Sequence, residues 1–316
     1  MTAVSSGGPG ARGEVVVGLK IDVDTRRGLD EGVPRLLGIL TGAGVPASFY
    51  VTMGPDCSGR AVLRVFRQRG FLSKMRRSGA LRTYGWRTVL SGTLLPARPV
   101  GSGLPNRLRE IEAAGFEAGI HGWDHVAWHD RLDRFAPARV ADHLRRARDA
   151  FTAATGHPPA ATAAPGWHAT AESLACQDRM GFAYASDIRG REPFIPVTAA
   201  GPAATLQIPT TLPTLDEMLG RPDLPGADPV AVWEAGIAGA RPGSVQVITL
   251  HAEIEGLDHA ALLESALARL RAAGRVRFAR LDAIARALDR EGLPRRPIVR
   301  GALPGRAGEV SCEGDG

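Results

Sequence analysis

Asp22 and Asp24 stand two residues apart in Val15-Val-Val-Gly-Leu-Lys-Ile-Asp-Val-Asp24. His121 and His125 stand four apart in His121-Gly-Trp-Asp-His125, with Ser186-Asp187 and His251 further along the chain. Two imidazoles at i and i+4 can present nitrogens from one side of a helical turn, a spacing that metal sites use. Two His and one carboxylate leave open positions on a divalent ion, which makes such a site catalytic rather than structural. The ion lowers the pKa of its water and polarises a carbonyl. A remaining carboxylate takes a proton, and a His opposite protonates the leaving group. This set of residue types points to metal-assisted amide hydrolysis.

The elements that must position these groups are legible. Val15, Val17, Leu19, Ile21 and Val23 alternate with Val16, Gly18, Lys20, Asp22 and Asp24, which predicts a β-strand. Asp22 and Asp24 then share one face, roughly 7 Å apart, at the strand's C-terminal end. His121, Asp187 and His251 each follow a predicted strand as well: Phe116–Ile120, Phe182–Ser186 and Val245–Leu250. Chemistry in parallel α/β folds is placed at that end of the strands. Further strands are predicted at 45–51, 160–164, 205–208 and 276–278. Helices are predicted at 30–40, 106–114, 137–155, 170–180, 260–273 and 281–288, several of them stopped by glycine. Strands and helices alternate about seven times, which reads as a single parallel barrel.

Length fits one large α/β domain. The 316 residues carry a net charge of +6, almost wholly from Arg, since Lys20 and Lys74 are the only lysines. Cys57, Cys176 and Cys312 form no CxxC pair and fit a reducing compartment. The N-terminus lacks a basic region followed by an apolar run, so it does not read as a signal peptide. No apolar stretch approaches the roughly 20 residues of a spanning helix. The expected location is the cytoplasm. Residues 1–13 read as a disordered tail, 14–290 as the catalytic domain, and 291–316 as a loose polar tail. Residues 53–103 read as an insertion. Within it, Arg60–Arg77 holds Arg60, Arg64, Arg67, Arg69, Lys74, Arg76 and Arg77 with no acidic residue, interleaved with Leu63, Phe66, Phe71, Leu72 and Met75. That pattern suits either an element facing anionic lipid or a solvated basic face.

Ile21-Asp-Val-Asp-Thr25, His121-x3-His125, Ser186-Asp187 and Leu250-His251 resemble the motifs of the polysaccharide deacetylase (NodB-homology) superfamily. The resemblance implies a distorted (β/α)7 barrel. It implies Asp24, His121 and His125 as metal ligands, Asp22 as general base and His251 as general acid, with Asp187 orienting His251 and holding its charged form. Zn²⁺ fits the ligand set, and Co²⁺, Ni²⁺ or Mn²⁺ would too. Longer blocks, among them Tyr84-Gly-Trp86, Gly166-Trp167, Ser186-Asp-Ile-Arg-Gly190, Gln207-Ile-Pro-Thr-Thr-Leu-Pro-Thr214 and His251-Ala-Glu-Ile-Glu-Gly256, are similar to one branch. Its members deformylate 4-deoxy-4-formamido-L-arabinose-phosphoundecaprenol for lipid A modification. The partners this implies are an undecaprenyl-phosphate-linked sugar and, through the basic insertion, the cytoplasmic face of the inner membrane. An ordinary polysaccharide or chitooligosaccharide N-deacetylase using the same metal site is the first alternative, and a non-catalytic lipid-phosphate-binding protein the second.

Trp167, Arg189, Tyr84 and Trp86 are the candidate substrate contacts, with Arg189 read as either a partner of Asp187 or a substrate group. Glu253 and Glu255 read as substrate contacts or as a solvated loop. His129, His143 and His157 read as surface residues. The chain departs from the superfamily in having Ala163-Ala164 where general deacetylases carry an Arg, which favours the deformylase branch. His168 and Lys20 stand where that branch leads one to expect Arg. Lys20 keeps the charge but loses the bidentate fork.

Overall fold

In a computed structural model that describes residues 13–60, 90–219, 221, 223, 228–306 and 308–315, the first strand is buried along nearly its whole length. This strand, β1 (Val15–Val23), has only Val16 partly exposed. Both faces are covered because one looks into the barrel and the other under helices, as parallel sheets require. Gly18 has no room for a side chain: a Cβ there would lie 2.5 Å from Leu281 Cδ2. That close approach seats a helix at the bottom of the barrel.

The chain continues as α1 (Val33–Ala43), β2 (Ser48–Val51), α2 (Pro105–Ala113), β3 (Glu117–Ile120), α3 (His125–Arg131), α4 (Pro137–Thr155) and β4 (Ala161–Thr162). Then come α5 (Ala171–Met180), β5 (Tyr184–Ala185), β6 (Ile195–Thr198), β7 (Gly201–Pro202), β8 (Leu206–Gln207), α6 (Leu215–Met218) and α7 (Pro229–Ala238). The chain ends with β9 (Val245–His251), α8 (Ala260–Ala272), β10 (Val276–Ala279), α9 (Leu281–Ala287), β11 (Arg295–Ala302) and β12 (Glu309–Glu313). The predicted helices and strands are present with ends shifted by up to a few residues. The elements α3, β6, β7, α6, α7, β11 and β12 are additional to them.

The main sheet runs β10-β1-β2-β3-β4-β5-β8, with β9 also paired to β1, and every pairing is parallel. It is a curled parallel half-barrel, the expected α/β architecture. The gap between β8 and β9 is spanned without a strand. The amides of Thr211 and Leu212 donate to Val247 O at 3.1 and 3.2 Å, and Val247 N donates to Thr211 Oγ1 at 2.9 Å. On the outer face α1, α2, α4 and α8 pack onto the sheet through Leu36, Leu40, Ile111, Phe151, Leu263 and Leu267. Inside, a polar chain crosses the barrel. Tyr50 and Tyr184 share a hydroxyl hydrogen bond of 2.6 Å, and Tyr184 donates to Glu117 Oε1 at 2.6 Å. Glu117 Oε2 accepts from Ser48 Oγ and from Asp282 N.

The expectation of a loose tail over 291–316 is overturned. The strand β11 pairs in parallel with β6 and antiparallel with β12, in a second sheet of order β12-β11-β6-β7. Glu313 anchors its end, accepting from Arg191 N at 2.6 Å and facing Arg296 Nε at 2.9 Å. Ser311 Oγ bonds both the N–H and the C=O of Ala169. The polar composition of the tail reflects carboxylate and arginine side chains that are paired with the barrel rim. Of the insertion, residues 53–60 and 90–103 return to the sheet, with Val100 N donating to Gly54 O and Gly101 N to Thr52 O. Tyr84, Trp86 and most of the basic stretch lie outside the described residues, as do residues 1–12.

Candidate active site

The register of β1 and β9 sets Asp22 directly opposite His251. Asp24 follows the last residue of β1, His121 the last residue of β3, and His125 opens α3. The cap of α3 fixes that turn, since Asp124 accepts from Ala127 N at 2.9 Å. His143, read as a surface residue, is buried instead beneath the same loop, with its Nε2 3.2 Å from Asp124 N. Burial pushes it down to about 4, so its ring stays neutral.

Asp24, His121 and His125 converge as the sequence predicts. One ligand atom from each lies within 4.8 Å of the others. His121 Nε2 is 3.3 Å from Asp24 Oδ1, and His125 Nε2 is 3.3 Å from Asp24 Oδ2. His121 Nδ1 sits 2.9 Å from Ala163 O, so that nitrogen carries the proton and donates. Its Nε2 faces Asp24 Oδ1, which is buried with no hydrogen-bond partner, and is the ring nitrogen placed to ligate a cation. Burial, reinforced by His121, pushes His125 down to about 4 despite the nearby carboxylates, so it too offers a lone pair near neutral pH. Burial alone would raise Asp24, but His125, His121 and His251 together hold it well below the usual carboxylate range. The donor set of two imidazoles and one carboxylate fits a divalent ion.

Behind the triad stands Glu253, which is buried rather than solvated. Its Oε1 accepts from Asp24 N, Thr25 N and Thr25 Oγ1 at 3.0, 2.7 and 2.8 Å. This carboxyl shapes the loop that carries Asp24, and Gly28 leaves space for it: a Cβ there would lie 2.1 Å from Glu253 Oε1. Burial and then the Asp24 charge push Glu253 up to about 8. Glu255 is also fully buried and accepts from His251 N at 2.8 Å, and burial pushes it up to about 7.

Asp22 has one oxygen held and one free. Lys20 Nζ donates to its Oδ2 at 2.7 Å, and Lys20 has no solvent exposure at all. Oδ1 is buried with no hydrogen-bond partner. The cation beside this carboxylate therefore comes from two residues upstream on β1.

Three assignments change. The carboxylate that meets His251 is Asp216, with Nδ1 to Oδ1 at 3.7 Å. Asp187 instead accepts from Gln177 and Gln207 at 2.7 and 3.0 Å, and makes no ion pair with His251. Burial pushes Asp187 up. Burial alone would lower His251, but Asp216, Asp24, Glu255 and Asp22 outweigh it and lift the imidazole to about 9. Arg189 is not a substrate group: it is buried, with Nη1 on both oxygens of Glu217 at 2.6 and 2.8 Å and Nη2 on Leu212 O. Trp167 lines the cleft but is only 3 % exposed, so it offers a sugar little surface. Its indole donates to Thr210 Oγ1 at 3.0 Å and meets the His251 ring edge-on at 6.2 Å between centroids. Trp167 takes a left-handed φ of 54°, directly after Gly166 at 65°. Those two successive residues turn the indole back across the barrel mouth.

The cleft itself, of about 160 Å3, is lined by Asp22, Asp24, His121, His125, Asp216 and His251, together with Arg306 and His129. His129, read as a surface residue, is therefore part of the site. Sequence reasoning passed over Asp216 and Arg306. Thr214 and Glu217 form a capping box that fixes the turn holding Asp216, and the Thr-x-x-Glu spacing was the available signal.

A model of the polysaccharide deacetylase family matches residues 10–185. A protein of Shewanella sediminis (strain HAW-EB3), named "Probable 4-deoxy-4-formamido-L-arabinose-phosphoundecaprenol deformylase ArnD", is 39% identical over 249 residues, covering 78% of this chain and 79% of that one. The protein of the same name from Wigglesworthia glossinidia brevipalpis is 30% identical over 286 residues, covering 89% and 96%. A solved structure of a Mycobacterium smegmatis protein named for the polysaccharide deacetylases superposes with a TM-score of 0.65 at 21% identity, over 96% of this chain and 99% of that one. At that identity the likeness speaks for the fold.

The triad predicts a metal stoichiometry that elemental analysis or Co²⁺ absorbance checks. Wild-type protein binds one divalent ion. His125→Ala and Asp24→Asn lose it, and Glu253→Ala weakens it about 10–100-fold by releasing the Asp24 loop. A Glu253→Ala protein with unchanged affinity would show that this carboxyl does not support the site.

Proposed function

The chain belongs to the polysaccharide deacetylase family, and we propose that within it this protein hydrolyses the formamide of 4-deoxy-4-formamido-L-arabinose-phosphoundecaprenol to formate and the free amino sugar lipid. The observation that carries this reading is the pairing of Asp22 with His251 across β1 and β9, beside the Asp24–His121–His125 triad, in a chain whose curated relatives bear the deformylase name. The freed amine goes on to mask lipid A phosphates, which gives resistance to cationic antimicrobial peptides.

Asp24, His121 and His125 would hold the divalent ion, most simply Zn²⁺, which when bound supplies Lewis-acid polarisation of the formyl oxygen. Asp22 takes the proton of the attacking water at Oδ1, the oxygen without a donor. Lys20 holds Oδ2 and so fixes the carboxylate's rotamer. His251 delivers a proton to the sugar nitrogen as the C–N bond breaks, and Asp216 positions the ring and favours its protonated form. The acid and base thus approach the amide from neighbouring strands of one ladder. The reading also brings the protein, as a peripheral partner, to the cytoplasmic face of the inner membrane, where its lipid substrate resides. Among the described residues no helix is long and apolar enough to cross a membrane.

Purified protein is expected to release formate from the formamido sugar lipid, to stop with chelator and to resume with Zn²⁺ or Co²⁺. Acetate from acetylated glucosamine oligomers, with no formate from the sugar lipid, would instead identify a polysaccharide deacetylase. Asp22→Asn should keep the metal and lose roughly 10²–10⁴-fold in kcat, and wild-type turnover in that variant would remove Asp22 as the base. A general acid must be protonated, so activity falls as pH rises through the His251 pKa of about 9. Asp216→Asn removes the carboxylate that raises it most, and the alkaline limb of the kcat profile should move to lower pH. An unmoved limb would separate Asp216 from His251. Co-sedimentation with vesicles tests the basic insertion. Binding should grow with anionic lipid and shrink with salt, and equal binding to neutral vesicles would count against it.

A further inference from the structure

Arg306 reaches the active-site cleft from the turn between β11 and β12. Its guanidinium lies 4.5 Å from the centroid of the Trp167 ring, and Nη2 donates to Gly166 O at 3.3 Å. It makes no ion pair within 4 Å among the described residues. The other cations close to Trp167 are already committed. Lys20 is held by Asp22, and Arg189 by Glu217 and the Leu212 carbonyl. Among the described residues that line the cleft, Arg306 is the one permanent cation.

We propose that Arg306 is the anion-recognition residue of this site and holds the phosphate that joins the sugar to its lipid. The proposal rests on the deformylase reading. With the formamide at Asp24, His121 and His125, the phosphate hangs from the other side of a single pentose ring. The rest of the cleft wall carries Asp22, Asp24, Asp130 and Asp216, which repel an anion. Apart from the reacting groups themselves, the Arg306 edge is the part of the described cleft wall that attracts one. Stacking on the indole restrains the guanidinium before substrate arrives, so less freedom is lost on binding. One nitrogen serves Gly166, and the remaining N–H groups can form the fork that matches two phosphate oxygens. Burial draws the pKa of Arg306 down against the opposing pull of Asp216 and Glu217. Arg300 stands behind it on the rim, bonded to His168 and to Glu309 O.

The test compares two substrates in wild-type, Arg306→Ala and Arg306→Lys proteins, each checked for an unchanged melting temperature. One substrate is the formamido sugar carrying a short isoprenyl phosphate, and the other is its neutral methyl glycoside. Arg306→Ala should cost roughly 10–100-fold in kcat/KM on the phosphate substrate, mainly through KM, and less than about threefold on the glycoside. Arg306→Lys should fall between. Equal losses on both substrates, or no loss on either, overturn the proposal. If wild-type protein releases no formate from either substrate, the deformylase reading fails, and calorimetric binding of the sugar isoprenyl phosphate decides the inference alone. Weaker binding in Arg306→Ala then supports it, and unchanged binding sinks it. Inorganic phosphate is the control: if it binds as tightly as the sugar phosphate, the site serves free phosphate and the substrate role is wrong.

Discussion

Lys20 is sealed from solvent with its ammonium 2.7 Å from Asp22, in the middle of a barrel mouth dominated by carboxylates. Asp22, Asp187, Glu253 and Glu255 are all buried near one end of the sheet, with Asp24 half-buried among them. Carboxylates that close together in a low dielectric cannot all stay ionised without compensation. Each is neutralised differently. Asp22 has Lys20. Asp24 has the imidazoles of His121 and His125. Glu253 and Glu255 are pushed toward protonation, and Asp187 is wrapped in the amides of Gln177 and Gln207. The site is thus a graded set of carboxylates in which Asp22 is ion-paired, Asp24 faces two imidazoles, and Glu253 and Glu255 support the loops around them.

That grading also explains how two similar residues on one strand take different roles. Asp22 belongs to β1, faces His251 in register and touches Lys20. Asp24 lies past the strand end, where Glu253 gathers the Asp24 and Thr25 amides. The difference arises from His251 and Glu253, far away in sequence, and from Lys20 on the same strand. His251 likewise draws on another loop, since Asp216 faces it from a one-turn helix.

Much of this was legible beforehand. Alternation in Val15–Asp24, glycine stops such as Gly156 and Gly181, and polar residues just past strand ends predicted the parallel α/β sheet and the meeting of Asp22, Asp24, His121, His125 and His251 at one end of it. What the sequence withheld was pairing. Asp187 and Asp216 look equally suited to His251 until the gap between β8 and β9 is closed by Thr211 and Leu212. Arg306 was hidden because β11 lacks a clean period of two. Its Arg295-Arg-Pro-Ile-Val-Arg-Gly-Ala302 becomes a strand only through β6 and β12, and Pro297 argues against a strand in isolation. Arg189 shows the converse: a charged residue beside a catalytic motif, engaged entirely by a buried structural carboxylate.

The backbone at Trp167 sits where residues with a side chain are disfavoured, at a cost of about 1–3 kcal/mol. Glycine or asparagine would occupy that position more comfortably. Neither would supply the aromatic plane against which Arg306 and His251 rest. The indole is also buried and hydrogen-bonded to Thr210, and deleting such a side chain costs about 3–5 kcal/mol. Relief of the backbone strain would therefore not offset its loss, and heat resistance and turnover both hold the strained residue in place.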